Sequence, residues 1–364
     1  MVLAWLERSR VAAPRERIAE MGGNTHSPPV PPLRFATRHH TFVEVLAGED
    51  VRPCGLVPII GQASAIALDS DGGRLIATLD DQHTIVAFDT QTLMPITTWC
   101  LDGRGLPCSD LVYCATRKAL LASDPGTTAL VPLPDQGGLV KAVHLPEVPE
   151  RWPAVTDATG SRIFRSVVPN GTLQEAVEAY EPKSATPSGV VAQVGGRPGC
   201  DGDLLYLAHP RRHEVSLIAL RTGRVLARRS FSQGERPWHE FPANVLADPV
   251  AERVYLPMQD HSDAILALDG KTLKTVWSAE VGRRPTRIAL DSVRRRLYVT
   301  HLFDYRLFVL DADTGRVVSV LEYDDLPLTV LPDPRTGRVF VQFAGMISVL
   351  EEATSATVSQ STRR

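Results

Sequence analysis

The sequence predicts an all-β fold: a seven-bladed β-propeller of four-stranded antiparallel blades, with the ring closed by an N-terminal strand. Three observations carry this expectation. A unit of about 43 residues recurs seven times along the chain. Each unit holds short runs of alternating apolar and polar residues separated by turn residues, the pattern of half-buried antiparallel strands. The last unit has three such runs where the others have four, and a spare run precedes the first unit.

The clearest unit is PTRIALDSVRRRLYVTHLFDYRLFVLDADTGRVVSVLEY, residues 285–323. IAL, RLYVTH, RLFVLD and RVVSVL are its four runs, with DSVRR and DTG as turns. The second run can be anchored at Leu75, Leu120, Ile163, Leu205, Val254, Leu297 and Val339, at successive spacings of 45, 43, 42, 49, 43 and 42 residues. Four strands per unit and the lack of an apparent capping repeat favour a propeller over a solenoid. The last unit supplies LTVLPD, RVFVQF and MISVLEE, and HHTFVEVLAG, from His39, is the expected fourth strand. Pairing it there removes two open sheet edges. The expected organisation is an extension with a Pro-rich linker over 1–32, the propeller over 33–352 and a polar tail over 353–364.

Several recurrent residues read as structural. Asp69, Asp248, Asp291 and Asp333 end the first run of their units, where an Asp side chain caps a tight turn. Trp99 and Trp277 fall on outermost strands and are expected to cover blade edges. The 26 Gly and 28 Pro of the 364 residues suit a turn-rich chain. A net charge of −3 excludes a general basic surface for nucleic acid, and no apolar run approaches the length of a membrane span. Five Cys without a CxxC pair suggest neither a disulfide framework nor a zinc ribbon, and point to thiols in a cytoplasmic protein.

The units VGRRPTRIALDSVRRRLYVTH…RLFVLDADTGRVVSVL and FPANVLADPVAERVYLPM…AILALDGKTLKTVW resemble YVTN-type propeller repeats, over most of residues 62–350. The resemblance implies seven blades around a central tunnel. It implies no single activity.

Candidate functional residues concentrate on one face, formed by the loops that join second to third strands and those that lead into each blade. His83, His209, His213, His261 and His301 fall in or beside the first kind of loop, His144 and His239 near the second. Blades four to six offer His209, His239, His261 and His301 around one sector, with Met258 between. These four imidazoles could ligate a transition metal. His209, His239 and His301 could equally act as acid–base or hydrogen-bonding groups of a polar pocket, or the face could simply be solvated. No HExxH, HxH or two-His-plus-carboxylate spacing decides among these.

Trp152, Trp238, Phe241 and Tyr305 supply aromatic surface on the same loops, and Arg236, Arg283, Arg284 and Arg287 could hold an anionic group. Trp152, Trp238, Phe241, Arg284, Tyr305 and His83 are the expected ligand-binding set. TLQEAVEAYE, in an insertion of the third unit, has helix-forming composition and is expected to be a short helical lid. The functional expectation is a small-molecule-binding propeller with a His-, Trp- and Arg-rich site at the tunnel mouth, leaning to an enzyme with its site on the loop-rich face, which a bound metal could assist. The alternative is a non-catalytic scaffold for a protein partner.

Overall fold

A computed structural model of the chain describes residues 33–36, 42–47, 51–59, 62–79, 81, 83–106, 110–124, 127–146, 154–156, 162–167, 176–181, 186–192, 197–231, 241–259 and 263–352. Seven antiparallel sheets succeed one another, each built on four strands. Their second strands are Arg74–Leu79, Ala119–Asp124, Ile163–Val167, Leu204–His209, Arg253–Gln259, Arg296–His301 and Arg338–Gln342, so every sequence anchor falls on one of them. These strands are buried along most of their length, with apolar residues at the anchors, because both of their faces are covered by neighbouring blades. All the blades lie within the unit Leu33–Arg364. No helix among the described residues is long and apolar enough to cross a membrane.

The core is divided among the seven interfaces between blades. Ile76 and Trp99 of blade one meet Leu120 of blade two, and Leu121 of blade two meets Ile163 of blade three. Phe164 and Leu207 join blades three and four, Leu217 and Val254 blades four and five, Ile265 and Leu297 blades five and six. Tyr298 and Val339 join blades six and seven. Phe340 and Val349 of blade seven pack on Ile66 and Leu75 of blade one, which closes the ring.

Closure differs from expectation in one respect. The strand that completes blade seven is Val51–Leu56, paired antiparallel with Ile347–Glu352. The run after His39 forms Phe42–Ala47 instead, which pairs with the outer strand of blade six, Val317–Tyr323, and carries Leu33–Ala36 beyond it. The sequence pointed to the run after His39 alone; VRPCGL carries Pro and Gly, which are unfavourable in a strand, yet an outermost strand tolerates both. Val51 is fully buried among Tyr298, Leu321 and Leu350, which fixes the choice.

The helical lid is also corrected. Ala176–Tyr180 is the third strand of blade three, paired with Ile163–Val167 and with Pro187–Ala192. Val177, Ala179 and Tyr180 are buried, so tertiary packing overrides the helix preference of Ala and Glu. The rest of the insertion, 168–175 and 182–185, lies outside the described residues.

The recurrent Asp residues are turn caps, as expected. Asp291 accepts hydrogen bonds from the backbone N–H groups of Val293 and Arg294, and Asp248 from those of Val250 and Ala251. Asp248 is buried, which opposes its charge, but Arg295 of the next blade at 2.7 Å and these N–H groups hold its carboxyl below the usual range. The two tryptophans also tie neighbouring blades. Trp99 Nε1 donates to Pro134 O (2.8 Å) and Trp277 Nε1 to Ala312 O (3.1 Å).

Candidate functional site

In each blade the start of the first strand lies beside the end of the second, so both reach the same loop-bearing face. In blade six, Pro285 pairs with His301 and Arg287 with Thr300. This geometry puts the histidines at strand ends, but not near solvent. His209 and His301 are 3% and 2% exposed, because they end strands that neighbouring blades cover on both sides.

His209 is a satisfied histidine on its Nε2. Ser216 Oγ donates to Glu214 Oε1 (3.0 Å) and accepts from His209 Nε2–H (3.0 Å). The sequence Pro210–Arg212 then forms one turn of 3-10 helix, ended by His213 in the left-handed region at φ 52°. The His213 ring meets Phe241 edge-on at 6.3 Å. Phe241 thus packs the segment leading into blade five against the blade-four loop.

His301 has a different environment. Its Nδ1 lies 3.2 Å from the Arg306 carbonyl oxygen, so Nδ1 carries the proton and donates. Its Nε2, sealed from solvent, has no hydrogen-bond partner among the described residues. The ring packs edge-on against Phe308 at 5.0 Å. Burial pushes its pKa down to about 4, so the ring is neutral near pH 7, with a bare lone pair on Nε2.

The chain leaves His301 into the loop Leu302–Tyr305. Leu302, Phe303 and Tyr305 are 43%, 45% and 46% exposed, although all three are large apolar or aromatic residues. Arg284 places its guanidinium 5.1 Å over the Phe303 ring, a cation–π contact. The Arg284 backbone N–H donates to Asp263 Oδ1 (2.9 Å), and Arg284 O accepts from Leu302 N–H (3.0 Å). Asp304 packs against the Gly282 backbone, where any Cβ would collide with its carboxylate. Burial raises the Asp304 pKa, against the opposing charges of Arg306 and Arg283. Arg284, Tyr305 and His301 therefore share one corner of blade six with two carboxylates.

His83 sits apart, on blade one, fully exposed. Its Nδ1 lies 2.6 Å from Asp81 O and its Nε2 3.1 Å from Gly103 O. Two carbonyl acceptors favour the doubly protonated ring, and the bond to Asp81 O raises the pKa. His83 thus clamps its own loop to the strand-end turn at Gly103. Trp152, Trp238, His239 and His261, with Arg236, lie outside the described residues. Among the described residues no group of three His, Cys, Asp or Glu side chains could hold a metal ion. Cys54, Cys100, Cys114 and Cys200 form no disulfide.

A charged group in the central tunnel escaped the sequence reading in part. Arg287 of blade six forms an ion pair with Asp110 of blade two. Their strands are innermost in blades that do not adjoin, so the pair spans the tunnel. Arg197, which begins blade four, feels both charges. Arg287 was recognised as a charge on this face, whereas Asp110 and Arg197 were not. A signal existed: each of the three pairs with the residue three steps beyond its blade's anchor, Thr300, Ala208 and Ser123. A shallow groove of about 270 Å³ beside Val191, Thr222, Gly223 and Arg228 lies at the outer strands of blades three and four and brings no comparable chemistry together.

The chain matches no known family model. It is 28% identical over 121 residues to the uncharacterized protein YncE of Salmonella typhi, a match that covers 32% of this chain and 33% of that protein. The same values hold for the uncharacterized protein YncE of Salmonella typhimurium strain LT2. The matched part spans about a third of the length of these curated relatives, and the similarity assigns the chain no activity.

Proposed function

We propose that the protein binds a small molecule on the loop-bearing face, over the mouth of the tunnel, at the blade-six corner formed by His301, Arg284 and Tyr305. One observation carries the reading: the buried Nε2 lone pair of His301 has no donor among the described residues. Leaving an acceptor sealed and unsatisfied costs about 1–3 kcal/mol. A ligand donor seated beneath the exposed Leu302–Tyr305 loop satisfies it and covers the aromatic surface at the same time. With its pKa depressed to about 4, His301 is a weak base at neutral pH and serves as hydrogen-bond acceptor or metal ligand. In the metal-assisted form of this reading, His209, His239 and His261 join it. The YVTN-type repeat and a cytoplasmic location go with the same reading.

The exposure of Leu302, Phe303 and Tyr305 supports a second reading, a protein-interaction scaffold, in which a partner's apolar side chains cover that loop. The test is native mass spectrometry and metal analysis of the untagged full chain, with Arg284→Ala and Tyr305→Ala variants. The expected result is a bound small molecule or metal ion in the wild type, and occupancy at least about tenfold lower in the variants at a nearly unchanged melting temperature, since both residues are exposed. No bound species in the wild type, or equal occupancy in all three proteins, refutes the small-molecule reading.

A further inference from the structure

Blade four carries an uneven charge towards its outer strand. Residues 202–231 hold six Arg against Asp203 and Glu214 alone, in a chain of net charge −3. Five of the six, Arg211, Arg212, Arg221, Arg224 and Arg228, are exposed. Arg221 engages Asp203 at 2.7 Å, and Arg228 lies 3.9 Å from Glu214. A positive surplus remains with both acids counted in full. The next segment, 232–240, adds Arg236 against Glu235 and Glu240, too little to cancel it.

The same strand borders a groove. Among the described residues Arg224–Ser230 pairs only with Glu214–Ala219, and Pro187–Ala192 of blade three only with Ala176–Tyr180, so both present an open edge. Between them lies the groove of about 270 Å³, with Val190, Val191 and Ala192 on one side and Val225 and Arg228 on the other. A bulge leaves Leu226 outside the pairing with Leu217 and Ile218, which brings Val225 and Arg228 to one side of their strand. Gly223 closes the groove against blade three, since a Cβ there would stand 2.5 Å from Val191 O. Val190 and Leu226 are 48% and 50% exposed, so apolar surface lies beside the arginines.

Two other blades show what an outermost edge accepts. Blade one takes Gly138–Val140 on its outer strand, and blade six takes Phe42–Ala47. Charge selects the occupant at blade four. A second copy of this edge would set like charges opposite one another. A polyphosphate or a lipid headgroup would meet the arginines and leave Val190, Val225 and Leu226 uncovered. An extended peptide that alternates carboxylate and aliphatic side chains meets the arginines, the apolar wall and the open backbone groups together.

We propose that this groove docks an extended acidic segment of a partner protein, which adds to the edge of Arg224–Ser230 as a fifth strand and sets aliphatic side chains against Val190 and Val225. The surface lies on the outer strands of the ring and does not depend on the ligand site at blade six.

The probe is a fluorescein-labelled hexapeptide of alternating glutamate and valine, followed by fluorescence anisotropy with the untagged full chain at low ionic strength. The expected result is saturable binding, weaker by at least about tenfold for lysine–valine and glutamate–serine peptides of the same length. Arg224→Glu and Arg228→Glu should each weaken it at least about tenfold at a nearly unchanged melting temperature, because both residues are exposed. Arg316→Glu is the control. RTGRV at 221–225 and DTGRV at 313–317 are equivalent hairpins, but the outer edge of blade six is already covered. This variant changes the net charge equally and should bind as the wild type does. Amide hydrogen exchange over 224–230 should slow when the peptide binds. Absence of saturable binding overturns the proposal, as does an equal loss in Arg224→Glu and Arg316→Glu. Equal affinity for the glutamate–serine peptide, or binding without slower exchange over 224–230, also overturns it. An oligonucleotide that binds more tightly than the peptide through the same arginines assigns the surface to a polyphosphate and refutes the acidic-segment reading.

Discussion

Deleting residues 1–56 should remove cooperative unfolding or lower the melting temperature sharply, whereas deleting residues 1–50 should cost much less. The longer deletion takes away Val51–Leu56, the strand that pairs with Ile347–Glu352 and supplies the fourth strand of blade seven. It also strips Val51 from the core shared by blades six and seven. The backbone of Val57, which donates to Ile347 O at 3.0 Å, loses the strand that positions it, and its side chain packs in the core between blades seven and one. Burial of an aliphatic side chain of this size contributes about 1.5–3 kcal/mol, so unseating the two valines alone costs on the order of 4 kcal/mol. That is a large part of a typical folding free energy of about 5–15 kcal/mol. The shorter deletion removes Phe42–Ala47, which only extends blade six at its outer edge. Circular-dichroism melts and denaturant titrations of the two truncations decide it. Equal losses would show that Val51–Leu56 does not hold the ring.

Stability should fall as pH is lowered from about 6.5 towards 4, and His301 should be a main cause. Its folded-state pKa is about 4, below the 6.5 of an unperturbed imidazole. Between these values the unfolded chain binds a proton that the folded chain refuses, so protonation favours unfolding. The full window of about 2.5 pH units corresponds to at most about 3 kcal/mol, and the step from pH 6.5 to 5 to about 2 kcal/mol. His83 acts in the opposite sense, adding stability below pH 6.5 that is lost as pH rises through its raised pKa, but its exposure keeps that effect small. Urea midpoints at pH 7, 6 and 5 for the wild type and His301→Gln check this. The variant should lose the acid sensitivity, and parallel curves would mean that His301 is not buried as a neutral ring.

The repeat made the fold legible because each blade is the same solution to the same problem. Its second strand is covered on both sides, so Leu75, Leu205 and Val339 recur as apolar anchors at near-constant spacing. The closing strand was misplaced because an outermost strand is held by one neighbour, and VRPCGL therefore lacks the regular alternation of FVEVLA. AVEAY looked helical for a related reason: its Ala and Glu are strong helix formers, and only the blade around it makes a strand of them.

The candidate site was half legible. The repeat correctly put His209 and His301 at equivalent strand ends, but a one-dimensional pattern cannot say which way an imidazole points. One ring meets Ser216, and the other leaves a nitrogen without a partner among the described residues. Asp110 and Arg197 are charges at the starts of first strands, where pattern alone does not separate a tunnel residue from a surface one. Only the register common to their blades and that of Arg287 brings them to one level.

The central claim is that blade six holds a neutral histidine whose bare Nε2 is kept for a ligand. Long-range proton–nitrogen NMR of the imidazoles tests it most directly, with His301 assigned by comparison with His301→Gln. The account predicts a ring protonated on Nδ1 alone from pH 8 down to about 5, with a deshielded, unprotonated Nε2 that shifts when the co-purifying small molecule or metal is restored to stripped protein. A ring titrating near 6.5, or one protonated on Nε2 at neutral pH, would contradict it.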